Sequence, residues 1–229
     1  MSESRIHVVL ASASPGRLAT LRRAGVEPEV VVSLVDEETV SAPTPTALVA
    51  TLAELKCRDV ADRLDVDTPT VVLGGDSMLE LDGEAIGKPG SAEVATARWR
   101  SMRGRSGILH SGHCVRLLDR RRERVREATG VASTVIHFGD PSDAEIEAYV
   151  ATGEPLNVAG AFTIDGLGGP FVRGVEGDPH NVVGLSLPLL RDLLAGLGVA
   201  WPALWESALD GPQPDDAEQD QGDEAQPPR

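Results

Sequence analysis

Only two cysteines, Cys57 and Cys114, occur in the 229 residues, and their spacing fits neither a disulfide framework nor a zinc pattern. A reducing compartment is the expectation. No apolar run is long enough to span a bilayer, and the first residues run into Ile6–Ala11 without the charged, apolar and cleavable regions of a leader. The chain is therefore expected to be soluble and cytoplasmic, with no membrane partner. Basic residues are few: 21 Lys and Arg stand against 36 Asp and Glu, a formal net charge of -15. A polyanion would approach against that field, so nucleic acid is not an expected partner. An anionic ligand needs a local basic pocket or an accompanying cation. There is also no internal repeat and no Ser-His-Asp order to suggest a nucleophilic triad.

What is present is a 41% hydrophobic chain whose segments alternate between strand-like and helix-like periods, the pattern of an α/β fold. Ile6–Ala11 reads as a short apolar strand. Ser14 then caps a helix with Pro15 in its first turn, Leu18, Leu21 and Ala24 on one face, and Gly25 past its end. A strand is expected at Val30–Val35, then a helix from about Ala47 with Leu48, Leu52, Leu55 and Val60 on its apolar side and Lys56 beside that stripe. Thr70–Leu73 reads as a strand ending in Gly74-Gly75-Asp76. Met78–Leu81 followed by Asp82-Gly83 signals a hairpin. Counting back from a two-residue turn sets Lys88 opposite Ser77, beside Asp76. A helix capped by Ser91, strands near Ile108–Leu118 and Ala132–Phe138, a capping box at Ser142–Glu145 and a last helix from Pro188 complete the expected order. Residues 1–205 form the expected domain. From 206 to 229 an acidic tail with almost nothing apolar is expected to stay out of the fold.

Four stretches place charged or hydroxyl groups at element edges, where α/β folds gather ligand groups. Ser12, Ser14 and Arg17 set hydroxyls and free amides at a helix N-terminus, which suits phosphate. Asp76 can orient a water or bind a metal. Lys56 and Lys88 offer positive points for phosphate oxygens, and Glu37 can help hold a hard cation. Taken singly, ordinary capping and solvation explain each of them. Their combination decides.

The blocks LASASPGR (Leu10–Arg17), VDEE (Val35–Glu38), LAELKC (Leu52–Cys57) and GGDSMLELDGEAIGKP (Gly74–Pro89), followed by EIEAYVATGEP from Glu145, AGAFTIDGLGG from Ala159 and VEGDPHNVVGL from Val175, together resemble the Maf family over all but the acidic tail. The resemblance implies an elongated α/β fold, a mixed sheet with two lobes around a central cleft, similar to the inosine triphosphate pyrophosphatases. It implies hydrolysis of nucleoside triphosphates to monophosphate and pyrophosphate, removing non-canonical or modified nucleotides. It also implies Asp76 as general base, Arg17, Lys56 and Lys88 on the phosphates, Glu37 with Asp76 at a divalent metal (Mg, Mn or Co), and a possible homodimer. A nucleotide-binding regulator of cell division and septum formation, with little turnover, is the alternative from another class. Ser12, Ser14, Gly16, Arg17, Ser77 and Asp165 make up the expected substrate-binding set. Gly16, Ser77 and Asp165 occupy positions that separate subgroups of the family and match none of them; Gly107, Val158 and Ser186 also depart from its common residues. An ionised Asp165 facing the base would suit the adjacent donors of a guanine edge.

Other features weigh less. His110 and His113, three apart in a strand, are expected on opposite faces and so do not make a metal pair. The Arg120–Arg126 stretch is expected as a solvated hairpin tip, and Cys57 as a half-buried packing residue rather than a thiolate.

Overall fold

The computed structural model describes residues 6–119 and 124–205. The expected acidic tail and the first part of the arginine-rich stretch, 120–123, lie outside the described residues. Among the described residues no helix is long and apolar enough to cross a membrane.

Among the described residues seven strands form one mixed sheet. β1 (His7–Ala11) lies parallel to both β2 (Glu29–Val30) and β3 (Thr70–Leu81), while β5 (Ser106–Leu118), β6 (Val125–Phe138) and β7 (Val172–Glu176) continue antiparallel from β3. The short β4 (Glu84–Ile86) pairs only with β3, across the turn at Asp82-Gly83. Both turn residues have positive φ, 55° and 83°, as a two-residue hairpin requires. The helices are α1 (Pro15–Arg23), α2 (Pro45–Arg63), α3 (Ala92–Met102), α4 (Asp143–Ala151), α5 (Pro179–Val183) and α6 (Leu187–Gly196).

Local rules start most of these helices. Ser14 accepts the Arg17 N–H with Pro15 following, Thr44 accepts the Ala47 N–H with Pro45 following, and Ser142 and Glu145 form the expected reciprocal capping box. The expected strand at Val30–Val35 is shorter than expected and stops at Val30. The Val31 N–H still donates to Leu10 of β1, but beyond it α2 takes over: the Leu34 N–H donates to Asp59 at 2.9 Å and the Val32 carbonyl accepts from Arg63 at 3.0 Å.

The second correction concerns β3. Gly74-Gly75-Asp76 does not end a strand; all three lie inside one 12-residue strand that pairs with β5 from Thr70, opposite Leu118, to Glu80, opposite Ile108. Gly74 serves helix packing. A Cβ there would stand 2.3 Å from the Ala53 carbonyl oxygen, and one at Gly112 on the neighbouring strand would stand 2.1 Å from that of Val49. Only two bare backbones let α2 lie this close to the sheet.

One strand threads both lobes. The first half of β3 contributes Val71 and Leu73 to a core shared with Leu21 of α1 and Leu190 and Leu194 of α6, and on its other face Val72 packs with Ala53, Cys57 and Val60 of α2. The second half contributes Leu79 and Leu81 to a separate core with Trp99, Met102, Phe138, Ile146 and Phe162. Trp99 fixes that lobe: it meets Phe138, Tyr149 and Phe171 edge-on and donates its indole N–H to the Ala161 carbonyl at 2.7 Å. Asp76 and Ser77 are the polar gap between the two apolar halves, and the cleft opens there.

Candidate active site

At the end of β1 the backbone turns through Ser12 into α1, and Ser12 Oγ accepts both the Ser14 N–H at 3.2 Å and Arg17 Nη1 at 2.9 Å. Arg17 is buried at 8% exposure. Its Nε donates to the Gly184 carbonyl and its Nη2 to Ser77 Oγ, both at 2.9 Å. Ser77 is braced in turn by Ser111 at 2.8 Å, which donates to the Asn181 carbonyl at 3.3 Å. Three of the five guanidinium N–H bonds are thus used inside the protein, and two remain for a ligand. Burial lowers the proton affinity of Arg17, with Asp76 and Glu37 acting against that; a guanidinium stays charged regardless.

On the opposite face of β3, α2 brings Lys56 over Asp76. Lys56 Nζ lies 2.7 Å from Asp76 Oδ1 and 2.8 Å from Glu37 Oε1. Lys56 and Asp76 are each 7% exposed, whereas the Glu37 side chain, on a 3-10 turn whose N-cap is Asp36, is 48% exposed. Asp76 Oδ2 is buried and has no hydrogen-bond partner. A buried carboxylate oxygen left bare is costly unless a ligand completes it.

This corrects the expected register. The ladder ends with Leu79 opposite Ile86, so Lys88 never reaches Ser77. The cation that meets Asp76 is Lys56, while Lys88 stands exposed on the rim with no ion pair among the described residues. The remaining side chains converge all the same. Ser12, Ser14, Gly16, Arg17, Glu37, Lys56, Asp76, Ser77, Lys88 and Asp165 all line one cavity of about 630 Å³. Gly16 lies close against α5: a Cβ there would come within 3.0 Å of the Val183 carbonyl oxygen. Asp165 is exposed at the tip of a loop on the far wall, next to Thr163 and Ile164.

Sequence reasoning missed the groups that brace Ser77 beside Arg17. Ser111 belongs to no motif and Asn181 carried no role within the block from Val175; the pairing of Ser77 with Ser111 across β3 and β5 brings the first to the site, and α5 brings the second. Behind them His113 is buried, its Nε2 accepting the Ser186 N–H at 2.8 Å and its Nδ1 on the Ser111 carbonyl at 3.0 Å. Burial first, and the nearby Arg17 charge second, push its pKa down to about 4, so it is neutral. His110 turns elsewhere, to Glu80 at 3.0 Å and Ser133 at 2.7 Å. Cys57 is fully buried rather than half-buried; burial pushes its thiol well above the usual value, and it donates to the Val72 carbonyl at 3.3 Å. Cys114, distant in sequence, is its neighbour.

The family model described as "Maf-like protein" matches residues 7–197. The chain belongs to that Maf-like family. Among its relatives, a protein of Streptomyces coelicolor named nucleoside triphosphate pyrophosphatase is 57% identical over 208 residues, covering 91% of this chain and 98% of that protein. One of Salinispora tropica with the same name is 57% identical over 202 residues, covering 87% of this chain and 88% of the relative. Among solved structures, the Staphylococcus aureus Ham1 protein superposes with a TM-score of 0.40 at 16% identity, over 83% of this chain and 99% of that one.

Proposed function

We propose that this Maf-like chain hydrolyses nucleoside triphosphates at the bond between the α and β phosphates, releasing pyrophosphate and a nucleoside monophosphate. The observation that carries the reading is Lys56 held between Asp76 and Glu37 on the floor of the cleft, with Asp76 Oδ2 bare beside it. The names of the Streptomyces and Salinispora relatives support the reaction. A triphosphate carries a charge of about -4, which an acidic protein must neutralise at close range. The two free donors of Arg17, the N-terminus of α1 and the ammonium groups of Lys56 and Lys88 supply that neutralisation.

Asp76 takes the general-base role in this reading. Lys56 occupies one carboxylate oxygen, and the other accepts the proton of a water whose oxygen bonds to phosphorus as the α–β bridging bond breaks. The residues also fit a divalent cation, magnesium, manganese or cobalt. Glu37, beside Asp76, would offer it a hard oxygen donor; no group of three metal-ligating side chains occurs among the described residues, so oxygens of the substrate and of water would have to supply the rest. A cation held there neutralises phosphate charge. The base is placed against the opposite wall, where Asp165 favours a guanine-like edge; Asp165→Asn should change the preference among bases. Residues 1–205 form the catalytic unit, and the buried free thiols fit a reducing cytoplasm.

The test is the yield of pyrophosphate and monophosphate from canonical, methylated and deaminated triphosphates with each metal. Equal amounts of the two products support the reading. Tight nucleotide binding without turnover on any triphosphate would replace it with a regulatory binding protein.

A further inference from the structure

The far wall of the cleft consists of two stretches outside any strand or long helix, one at Asn157–Ala159 and one at Thr163–Asp165. One carboxylate ties them together. Glu154, the first residue of the 3-10 turn Glu154–Asn157 after α4, accepts the Tyr149 hydroxyl at 3.0 Å and a short hydrogen bond from Thr163 Oγ1. It also accepts the Leu167 N–H at 3.1 Å and the Gly168 N–H at 3.2 Å. The loop closes so tightly around this group that a Cβ at Gly166 would lie 2.8 Å from Glu154 Oε2, and one at Gly168 would lie 2.6 Å from the Tyr149 hydroxyl oxygen. Three of these donors, Tyr149, Thr163 and Gly168, reach Oε1, and the fourth, the Leu167 N–H, reaches Oε2. Glu154 itself does not line the cleft.

We propose that Glu154 is a positioning residue for base selection, its carboxylate fixing the 163–168 loop so that Ile164 and Asp165 present one shape and one polarity to the nucleobase. The inference rests on the reading of the cleft as a nucleoside triphosphate site. Without the carboxylate, the Leu167 and Gly168 amides and the Thr163 and Tyr149 hydroxyls lose their shared acceptor, and the wall samples several positions. The phosphate end keeps its own supports in α1, α2 and β3. Selectivity and chemistry therefore separate.

Glu154→Gln keeps the size but replaces one acceptor oxygen with an NH2 donor. Its pyrophosphate release and its calorimetric Kd are measured with ATP, GTP, CTP, UTP, dTTP and ITP beside the unaltered protein. The expected result is a fall of about tenfold in the kcat/KM ratio between best and worst base, carried by KM. At saturating best substrate, kcat should stay within about threefold. Thr163→Val, which removes one donor, should move the ratio the same way by less. A folded Glu154→Gln protein with unchanged selectivity overturns the inference, as does a drop in kcat at unchanged selectivity. Should Glu154→Gln fail to fold, Tyr149→Phe and Thr163→Val decide by the same ratio. If the unaltered protein binds nucleotides without releasing pyrophosphate, only the hydrolytic reading fails, and the ratio of Kd values decides the role of Glu154. An unaltered protein that distinguishes no base in either measurement overturns it.

Discussion

The charged wall of the cleft hangs on a helix and two strands pressed together at Gly74 and Gly112, whereas the opposite wall hangs on hydrogen bonds to the Glu154 carboxylate. Close packing of regular elements leaves little freedom, so Arg17, Lys56 and Asp76 hold one geometry. A loop gathered around a single acceptor is easier to reshape by substitution. In the proposed reading, phosphate chemistry, common to every nucleotide, sits on the first kind of wall and discrimination between bases on the second.

The strongest test of this division is Asp76→Ala. Loss of the proposed general base should lower kcat by roughly 10²–10⁴-fold in a pyrophosphate-release assay, while calorimetry still shows a nucleotide bound. A variant that keeps full turnover would remove the charged wall from the chemistry.

Acid should separate the two walls next. In the folded protein His113 has a pKa of about 4, against 6.5 for an ordinary histidine. Above pH 6.5 it is neutral folded or unfolded and contributes no pH dependence. As pH falls below 6.5 the unfolded chain takes up a proton that the folded chain refuses, so stability falls, by about 3 kcal/mol when pH 4 is reached. Urea unfolding of His113→Asn should show a flatter profile over that window. Glu154 answers lower down. Burial raises its pKa, but hydrogen bonds from Thr163, Leu167, Tyr149 and Gly168 outweigh this and hold it below the usual carboxylate value. Its stabilisation is present above the ordinary glutamate range and is lost only as pH falls through the depressed value.

Gly112→Ala probes the packing directly. The added methyl has no room against the Val49 carbonyl, so a loss of about 1–3 kcal/mol is expected in urea, together with reduced turnover as α2 carries Lys56 away from Asp76. Unchanged stability would refute the close-packing account. Lys88→Ala, on the exposed rim, should change stability by less than about 0.5 kcal/mol and raise KM modestly; a collapse in kcat would move Lys88 from the rim into the chemistry.

The charged wall was partly legible from residues alone because its first element follows local rules. Ser14, Pro15 and Gly25 mark α1 without knowledge of anything distant, and Asp82-Gly83 marks its turn in the same way. Counting along the hairpin to Lys88 failed because pairing stops at Ile86, and nothing in that stretch says how far a ladder runs. Gly74-Gly75 read as a strand end for a related reason: a glycine that admits a helix looks the same in sequence as one that ends a strand. The Glu154 wall was least legible. Its donors lie between 5 and 14 residues away along the chain, a spacing that belongs to no regular element.

Residue order by itself determined the caps, the turn, the alternation of strands with helices, and an inventory of acids and bases in an acidic chain. Those depend on neighbours within a few positions, where backbone dihedrals and capping hydrogen bonds act. Tertiary structure alone decided that Lys56 rather than Lys88 meets Asp76, that Ser111 and Asn181 brace Ser77 beside Arg17, and that Glu154 gathers a loop. Each of these is a contact between segments brought together by burial, and burial rewards the total apolar area removed from water without specifying in advance which polar groups will face each other.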